Sequence, residues 1–466
     1  MNKLVPPLLF LLLQGCRPVG PNYTPQPQPV PEAYATKGGA IPLPFRWWEP
    51  LGDPQLNGLI DQALAHSPDL KIAEARLRQS RAVLGVQEGA GGPNLGVGAQ
   101  VSRDHLSRNS EMLANLPLKT INTDFTNFQI GFDASWEIDL FGHNRRLTEA
   151  ALARSEASAE RLQDAGLVLS SEVARNVIEY RTGRQRLALA LDILAHHDEL
   201  VRLVGLQAQA GESTRLEVQR AETNRVVYES SLADLRIALR QNLAALSTLT
   251  DLPVATLEAR LGEPAKPMVM PEAPAAGLPS DLLKHRPDVR AAERDWAAAN
   301  ADLGVAVADQ YPRFSLVGTG GWASIQSGTL LTNASRLWSV GPQLHLPLFQ
   351  SGRLKNQVKA NEAAYEAAAA TYRKAVLGAV GDVEVALTRL SRSEERRQQL
   401  VMAETRQQNQ VSLTELQWKA GEVSKATLLE ARKNLLNQQD QTLKAQSQSL
   451  SALVALCKAL GGGWTA

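Results

Sequence analysis

Two long regions of the chain, 144–252 and 348–466, contain no proline. Proline breaks a helix from within, so its absence allows both regions to be helical throughout. Each region has one internal break, at Ala210-Gly211-Glu212-Ser213 and at Ala420-Gly421-Glu422-Val423-Ser424. The roughly 60 residues before each break would form a helix on the order of 90 Å long. A globular core has no use for such helices, so the sequence predicts two very long helical hairpins.

The residues expected at contacts between these helices are small. Leu and Val recur among them at heptad-like spacing, as at Leu162, Leu169 and Val173, while the other faces carry Gln, Arg, Glu, Asn and Ser. This pattern is typical of a coiled-coil-like hairpin that keeps one face in water. The alanines that would allow close packing are Ala150, Ala151, Ala153, Ala157 and Ala159 in the first region, and Ala363, Ala364, Ala367, Ala368, Ala369 and Ala370 in the second.

The chain is a tandem repeat in two registers. The first register matches His66-Ser67-Pro68-Asp69 with His285-Arg286-Pro287-Asp288, Leu84-Gly85-Val86 with Leu303-Gly304-Val305, and Pro93 with Pro312. The second matches Glu156 with Glu366, Ala210-Gly211-Glu212 with Ala420-Gly421-Glu422, and Ala221 with Ala431. We therefore expect two copies of one unit, 61–252 and 280–463, joined by a proline-rich linker, 253–279. Each copy would run helix, strand, loop, strand, hairpin, with the hairpins at 144–250 and 352–460.

Four segments alternate apolar and polar residues with a period of two, which predicts β-strands with one apolar face. Each is about ten residues long, the length at which a strand crosses a bilayer. The loops between the paired segments, 104–127 and 323–336, are polar and would face the outside. The four predicted strands are 93–103, 128–140, 312–322 and 338–349.

Four strands cannot close a barrel by themselves, because about eight are the practical minimum. An open sheet in lipid would also leave the backbone groups of its two edges without hydrogen bonds. Three chains would together supply twelve strands, so the membrane interpretation requires a homotrimer. A soluble, half-buried antiparallel sheet is the alternative.

The N-terminal residues predict export. The apolar run Leu4–Leu13 is too short to span a bilayer and indicates a signal peptide over 1–15. It ends in Leu13-Gln14-Gly15-Cys16, which resembles a bacterial lipobox and implies a covalent diacylglycerol and an N-acyl chain on Cys16. Arg17 in the next position, where an Asp would indicate the inner membrane, points to the outer membrane. A signal peptide with an incidental cysteine is the alternative.

The segment that follows, 16–60, begins as a proline-rich arm. The prolines from Pro18 to Pro31 are too dense for a helix or a central strand and favour an extended conformation. Phe45, Trp47 and Trp48 come next and need burial. We therefore expect the arm to lie along the outside of the protein, with a disordered linker as the alternative.

Composition and motifs disfavour an enzyme or a nucleic-acid-binding protein. The net charge of +1 lacks the basic footprint of a nucleic-acid binder. Two cysteines, Cys16 and Cys457, leave no disulfide framework and no cysteine-based metal cage. Period two places Glu137 and Asp139 on the same face of one strand, which indicates lining of a lumen rather than an acid–base pair. We therefore assign no catalytic residue, no metal site and no cofactor beyond the lipid on Cys16.

Several short sequences, spread over almost the whole mature chain, follow one another in a characteristic order. They are Val19-Gly20-Pro21-Asn22-Tyr23, Trp47-Trp48 with Asp53-Pro54-Gln55-Leu56, Trp136-Glu137-Ile138-Asp139-Leu140-Phe141-Gly142, Leu346-Pro347-Leu348-Phe349 and Gly352-Arg353-Leu354. Together with the lipobox, they resemble the outer-membrane factor family of TolC-like tunnels, and most closely its lipidated NodT/OprM-type branch.

The resemblance implies an α+β membrane tunnel. It would be a trimeric twelve-stranded outer-membrane β-barrel, with four strands from each chain, continuous with a twelve-helix barrel in the periplasm. An equatorial region would come from about 45–65, 253–284 and the C-terminal tail. The function implied is a passive exit duct for drugs or other small toxic compounds. Its partners would be a periplasmic adaptor and an inner-membrane resistance–nodulation–division pump.

The resemblance also implies a docking surface at the hairpin tips, 205–214 and 416–425. The tip residues expected to meet the adaptor are Gly211, Glu212, Gly421 and Glu422. In the family, acidic residues a few positions after the second tip form a constricting gate.

In this sequence the gate positions are Thr427, which is not acidic, and Glu430. The repeat adds Glu217 and Arg220 at the equivalent places. We predict an Arg220–Glu430 or Arg220–Glu217 latch, with solvated charges on one helix as the alternative.

Three other functions stay open. A type I secretion conduit and a metal-efflux duct use the same architecture, although Met112, Met268, Met270 and Met402 form no ligand stripe. A lipid-anchored periplasmic coiled-coil adaptor or scaffold would explain the lipobox and the hairpins but not the four alternating strands.

Overall fold

The computed structural model describes residues 18–25, 28–39, 41–107, 123–262 and 268–462. The predicted signal peptide, Cys16 and most of the loop 104–127 lie outside these ranges. The helices are α1 Pro54–His66, α2 Pro68–Ala90, α3 His143–Gln209, α4 Arg215–Thr250, α5 Val254–Gly262, α6 Leu282–His285, α7 Pro287–Ala308, α8 Arg353–Lys419 and α9 Lys425–Ala459. The strands are β1 Asn94–His105, β2 Asp124–Ile138, β3 Arg313–Ser324 and β4 Arg336–His345.

The hairpins are built from helices of unusual length. Helices α3 and α8 each comprise 67 residues, which is about 100 Å of helix at 1.5 Å per residue. Each is followed by a shorter returning helix, α4 or α9. Within the described ranges, no helix combines the length and the apolar character that crossing a membrane requires.

The strands form one antiparallel sheet in the order β1-β2-β3-β4. Glycines face one another at its centre, where Gly131 lies opposite Gly98 on β1 and Gly321 on β3. A Cβ on Gly321 would lie 2.3 Å from the backbone oxygen of Ile130, so only glycine allows this close approach. The outer edges of β1 and β4 are not paired within the sheet.

The predicted boundaries of β4 and β2 differ from those of the structure by up to four residues. Strand β4 ends at His345, four residues before the predicted end at 349. Pro347 has no N–H to donate to a ladder and restricts the residue before it, so the apolar alternation continues past the point where pairing stops. Strand β2 begins four residues earlier than predicted and ends at Ile138, two residues earlier than predicted.

The early end of β2 changes the role of Asp139. Its Oδ2 accepts a hydrogen bond at 2.9 Å from the backbone N–H of Arg145, in the first turn of α3. A carboxylate in this position satisfies an N–H that has no partner within the helix. The prediction that Glu137 and Asp139 share the lumen face of one strand is therefore wrong for Asp139, which caps a helix.

The predicted linker 253–279 contains a helix. Helix α5 starts directly after Pro253, whose carbonyl accepts a hydrogen bond from the N–H of Leu257 at 3.1 Å. Helices α1 and α5 both pack against α4. Leu257 and Leu261 are buried there, and their spacing puts both on one face of the short helix. The proline-rich composition concealed a short amphipathic helix.

The chain divides into two compact units. The first contains all four strands and, from the long helices, α3 up to residue 157 and α8 up to residue 371. The second contains both hairpin tips together with α1, α4, α5 and α9.

The proline-rich arm is extended where it runs along α8 in the second unit. Arg373 Nη1 donates to the backbone oxygen of Pro29 at 2.8 Å. The N–H of Ala35 donates to Glu384 Oε1 at 2.6 Å. These bonds go to arm backbone groups that an extended conformation leaves unpaired.

Candidate functional site

The two hairpin tips have the same backbone. Each long helix ends in a Schellman motif, in which the N–H of Glu212 donates to the oxygen of Gln207 at 2.8 Å and the equivalent bond of Glu422 is 2.9 Å long. Gly211 and Gly421 have φ angles of 78° and 80°, which glycine adopts without strain. A Cβ on either glycine would meet no atom within 4 Å. Backbone conformation, not lack of space, therefore requires glycine at both tips.

The tips present exposed apolar side chains beside the predicted docking residues. The four predicted residues, Gly211, Glu212, Gly421 and Glu422, are all exposed. Leu206 and Leu216 flank the first tip, Leu413 and Leu416 flank the second, and each exposes 49% to 63% of its surface. Exposed apolar side chains gathered in one place are typical of a binding surface. Leu206 and Leu416 lie within the predicted tips, 205–214 and 416–425, but sequence reasoning assigned the leucines no role of their own, because their spacing is that of ordinary helix contacts.

Helix α4 begins with a complete capping box. The N–H of Glu217 donates to Thr214 Oγ1 at 3.3 Å, and Glu217 Oε2 accepts from the N–H of Thr214 at 2.9 Å. The Ser213 hydroxyl donates to the same oxygen at 2.6 Å. These hydrogen bonds, that of Ser213 first, lower the pKa of Glu217. The carboxylate of this gate candidate is therefore engaged by the start of its own helix.

Helix α9 begins with only half of that arrangement. Ser424 Oγ accepts from the N–H of Thr427 at 3.1 Å. Thr427 stands where Glu217 stands in the first hairpin, and it has no carboxylate to return the bond. Glu430, nearly one turn further along, is exposed and forms no ion pair in the described part of the chain. The acidic gate candidate of the second hairpin is therefore not engaged in capping.

The predicted latch pairs are not formed within one chain. Among the described residues, neither Arg220–Glu430 nor Arg220–Glu217 is an ion pair. Arg220 is exposed and lowers the pKa of Glu217 less than the capping hydrogen bonds do. The structure thus places Glu217 and Thr427 in the first turns of α4 and α9, and Arg220 and Glu430 in the second turns, without joining them.

A different ion pair joins the two hairpins near these helix starts. Lys425 Nζ, in the first residue of α9, lies 2.6 Å from Glu199 Oε1 on α3. Glu199 also accepts two hydrogen bonds from Arg202, at 2.7 and 2.8 Å. Arg202 first, and then Lys425, hold the pKa of Glu199 at about 2. We call this pair, Lys425–Glu199, the upper tie.

A second pair, Arg186–Asp440, joins the same two helices and is called the lower tie. Arg186 Nε lies 2.7 Å from Asp440 Oδ1, and Lys444 Nζ lies 2.6 Å from the other carboxylate oxygen of Asp440. The two ties join residues 226 and 254 positions apart in the chain. Sequence reasoning missed both, because no local pattern marks partners at that separation.

These features define a class of protein. The sheet has two open edges, and its strands lead into hairpins of very long helices with exposed tips. Such a chain is one third of a trimeric channel. The chain belongs to the outer membrane efflux protein family, whose model matches residues 59–251 and 278–462. The matched segments lie within two residues of the two copies expected from the repeat, 61–252 and 280–463.

Curated relatives match over nearly the whole chain. The solvent efflux pump outer membrane protein SrpC of Pseudomonas putida is 30% identical, over 99% of this chain and 98% of the relative. The pyoverdine export outer membrane protein OpmQ of Pseudomonas aeruginosa is 32% identical, over 90% and 87%. Nodulation protein T of Rhizobium leguminosarum bv. viciae is 29% identical, over 98% and 90%.

Solved structures share the fold. The outer-membrane channel OprN superposes with a TM-score of 0.83 at 29% identity, covering 96% of this chain and 99% of that one. The open state of the MtrE outer membrane channel of Neisseria gonorrhoeae gives 0.81 at 26% identity, covering 96% and 98%. The family and the trimeric tunnel fold expected from the sequence are confirmed. The protein functions in efflux at the outer membrane.

Proposed function

We propose that this protein is the passive exit duct of a tripartite pump. It receives small toxic organic compounds from an inner-membrane resistance–nodulation–division pump through a periplasmic adaptor. The continuity of sheet and helix supports this most directly, since β2 ends at Ile138 and α3 begins at His143, while β4 ends at His345 and α8 begins at Arg353. Strands β2 and β4 therefore each lead within a few residues into a helix of about 100 Å. Relatives named for solvent, toluene and pyoverdine export favour organic cargo over metal.

The duct acts physically rather than by catalysis. Polar faces of α3 and α8 line a water-filled passage, which accounts for helices that are long and yet rich in Gln, Arg and Glu. The work of transport is done by the inner-membrane pump, and no residue of this chain is assigned a catalytic role.

The gate is formed by the first two turns of α4 and α9. Three copies of Glu430 would face one another around the threefold axis, and like charges at close range repel unless a cation compensates them. Glu217 is engaged in its capping box, so Glu430 and Arg220 carry the charge that is available to the gate. Thr427 contributes a neutral side chain at the level where Glu217 caps the other hairpin. The upper tie, Lys425–Glu199, holds the start of α9 against α3 and thereby keeps the gate closed.

The tips bind the adaptor through the exposed leucines and the two glycine turns. Gly211 and Gly421 allow both turns, Glu212 and Glu422 add charge, and the leucines supply the apolar area that a protein contact needs. Bulky replacement of Gly211 together with Gly421, or charge reversal of both glutamates, should reduce resistance to toxic compounds while trimers still assemble. Unchanged resistance in all these variants would contradict this assignment.

The membrane anchor is Cys16, acylated after removal of 1–15. Two or more acyl chains hold a protein on a membrane stably. Mass spectrometry of the mature N-terminus tests this, and an unmodified peptide containing Leu13 to Arg17 would contradict it.

Conductance of purified trimers in planar bilayers tests the duct itself. Wild-type trimers should give discrete channels, and Glu430→Ala and Arg220→Ala should raise the conductance and weaken block by cations. A periplasmic scaffold would give no channels at all. It would also leave an epitope inserted in 104–127 hidden from protease in intact cells, whereas the duct exposes it.

A further inference from the structure

Five consecutive residues of the arm, Val19–Tyr23, are bound in a well-defined site on the first unit. The N–H of Val19 donates to the backbone oxygen of Phe141 at 2.9 Å. Phe141 lies between the end of β2 and the start of α3, so the arm docks where the sheet continues into the helix. We call the surface formed by Arg146, Trp296, Asn300 and Gly304 the arm seat.

Arg146 is the centre of the arm seat and is only 2% exposed. Its Nε donates to the oxygen of Val19 at 3.3 Å, and its Nη2 donates to the oxygen of Gly20 at 3.4 Å and to Asn22 Oδ1 at 2.7 Å. Nη1 donates to Glu149 Oε2 at 2.7 Å. A buried guanidinium needs oxygen acceptors around it, and the arm supplies most of them.

Backbone contacts in the seat leave no room for side chains. Gly20 has a φ of 85°, and a Cβ there would lie 2.8 Å from the Cα of Gly304. A Cβ on Gly304 would lie 2.9 Å from Cδ of Arg146, and one on Gly142 would lie 2.5 Å from Cβ of Pro18. Such distances are below van der Waals contact, so the arm reaches the seat only because these positions are glycine.

Two further contacts set the direction of the arm. Asn300, which is buried, donates through Nδ2 to the oxygen of Pro21 at 3.0 Å. The ring of Tyr23 packs edge-on against Trp296, with centroids 5.4 Å apart and an interplanar angle of 89°. The Tyr23 hydroxyl donates to Glu293 Oε1 at 3.1 Å. Backbone, amide and aromatic contacts therefore all fix the same short segment.

The repeat shows that the seat is specific to one copy. In the second register Arg146 corresponds to Asn356, whose short amide side chain cannot replace the guanidinium that donates to Val19, Gly20 and Asn22. The α3–α7 surface thus carries a site for the arm that its counterpart lacks, so the site does not follow from the repeat itself.

We propose that the arm seat sets the depth of the lipidated N terminus relative to the sheet; this rests on the proposed acylation of Cys16. Cys16 precedes Val19 by three residues, at most about 11 Å of extended chain. With Val19 held at Phe141, the acyl chains can enter only the leaflet that borders the helix-side edge of the sheet. The partner is the periplasmic phospholipid leaflet. The arm seat therefore fixes how deep the lipid anchor lies in the membrane relative to the strands.

Gly20→Val in the full chain tests the seat from the arm side, leaving the seat residues unchanged. The Val19 amide should then exchange with deuterium at least about tenfold faster. Cys16 should still be acylated by mass spectrometry, and the yield of heat-resistant trimers in outer membranes should fall severalfold. Thr24→Ala, at an exposed position just past the seat, is the matched control and should behave as wild type. A Val19 amide that stays protected in Gly20→Val would overturn the seat.

A four-residue Gly-Ser insertion between Arg17 and Pro18 tests depth separately from docking. It lengthens the tether and leaves the seat intact, so Val19 should stay protected while the trimer yield falls. A wild-type trimer yield in this insertion variant would overturn the depth role. An N-terminus without acyl chains would remove the anchor instead, and protection of Val19 and channel conductance would still report separately on the seat and the duct.

Discussion

Helices α2 and α7 begin with the same motif and have opposite surroundings. Leu77 is the single buried residue of α2, whereas every residue of α7 is at least partly buried. Two copies of one unit would be buried alike if one chain were the whole structure. Among the described residues, α7 is therefore covered by its own chain, whereas most of the α2 surface is left uncovered.

The contacts of α7 indicate which partner α2 lacks. Helix α7 packs on an alanine face of α3 and pairs with three charged residues there. In the repeat, α2 corresponds to α7 and α8 corresponds to α3, so α2 and α8 carry the counterparts of both sides of this contact. The ion pairs are Arg290–Glu160, Arg294–Glu156 and Asp302–Arg154, and the counterparts of the α7 residues are Lys71, Ala75 and Val83, all exposed. The buried alanines of α3 are Ala150, Ala153 and Ala157, and their counterparts on α8, Ala360, Ala363 and Ala367, are exposed. We therefore expect α2 to pack against α8 of the neighbouring subunit.

The largest effect should come from charge placed on the exposed alanine face of α8. Ala363→Asp and Ala367→Asp would bury an unpaired carboxylate at the subunit contact, which costs about 3–5 kcal/mol. Both variants should therefore abolish the trimer. Size-exclusion chromatography with light scattering in detergent measures this loss.

Lys359→Asp is the control for this experiment. Its counterpart Glu149 is an exposed carboxylate whose ion pair lies within α3, so the trimer should survive this substitution. Trimers that persist with Ala363→Asp would show that the repeat does not transfer the α3–α7 contact.

A cross-link should identify the neighbouring helix directly. Ala75 and Glu366 are the counterparts of Arg294 and Glu156, whose side chains lie 3.3 Å apart in one chain. Ala75→Cys combined with Glu366→Cys should give covalent trimers with a short bis-maleimide, because the two positions face each other across subunits. Denaturing gels measure the product. The pair Ala75→Cys with Leu413→Cys should give none, and cross-linking within single chains would contradict the assignment.

A smaller effect should follow from loss of the upper tie. Glu199→Gln removes the partner of Lys425 and should raise single-channel conductance. The pKa of Glu199 is held at about 2, against an ordinary value of 4.5. A carboxylate whose pKa is lowered by an ion pair stabilises the folded protein fully above its ordinary pKa. This stabilisation is lost only as the pH falls towards the lowered pKa. The part of wild-type conductance that the tie controls should therefore be constant between pH 8 and 5.

The first hairpin supplies the control for the upper tie. Arg215 is the counterpart of Lys425 and has no ion pair within the described residues, so Arg215→Gln should leave conductance unchanged. The counterpart of Glu199 is Asn409, a neutral residue. Asn409→Glu should create three new ties between subunits and lower the conductance. Equal effects of Arg215→Gln and Lys425→Ala would contradict the difference between the two hairpins.

The smallest expected effect is a difference in stability between the first turns of α4 and α9. Thr214→Ala removes one side of a complete capping box, whereas Ser424→Ala removes a single capping bond. We expect losses of about 1–2 and about 0.5–1 kcal/mol in the local stability of α4 and α9. Hydrogen exchange of the first-turn amides measures both. A larger loss for Ser424→Ala would show that the Glu217 carboxylate does not support α4.

Regular elements were predictable wherever a local pattern was uninterrupted. The proline-free regions and the glycine breaks predicted the hairpins, and their turns lie at Gly211 and Gly421 as expected. The errors occur where one residue overrides the pattern. Strand β4 ends before Pro347 although leucines continue to alternate. Asp139 lies outside β2, because its carboxylate caps the first turn of α3. Both interruptions depend on hydrogen bonds, which hydrophobic periodicity does not report.

The amino-acid sequence alone was sufficient for the helices, the strands, the two copies and the need for other subunits, because periodicity, proline and glycine act on neighbouring residues. Partner choice was not accessible in this way. Lys425 and Arg215 occupy equivalent positions in sequence, yet within the described ranges only Lys425 meets a carboxylate. Arg146 and Asn356 are likewise equivalent, yet only Arg146 receives the arm. Ion pairs and buried hydrogen bonds act over about 3 Å, so which groups meet depends on how segments hundreds of residues apart pack together.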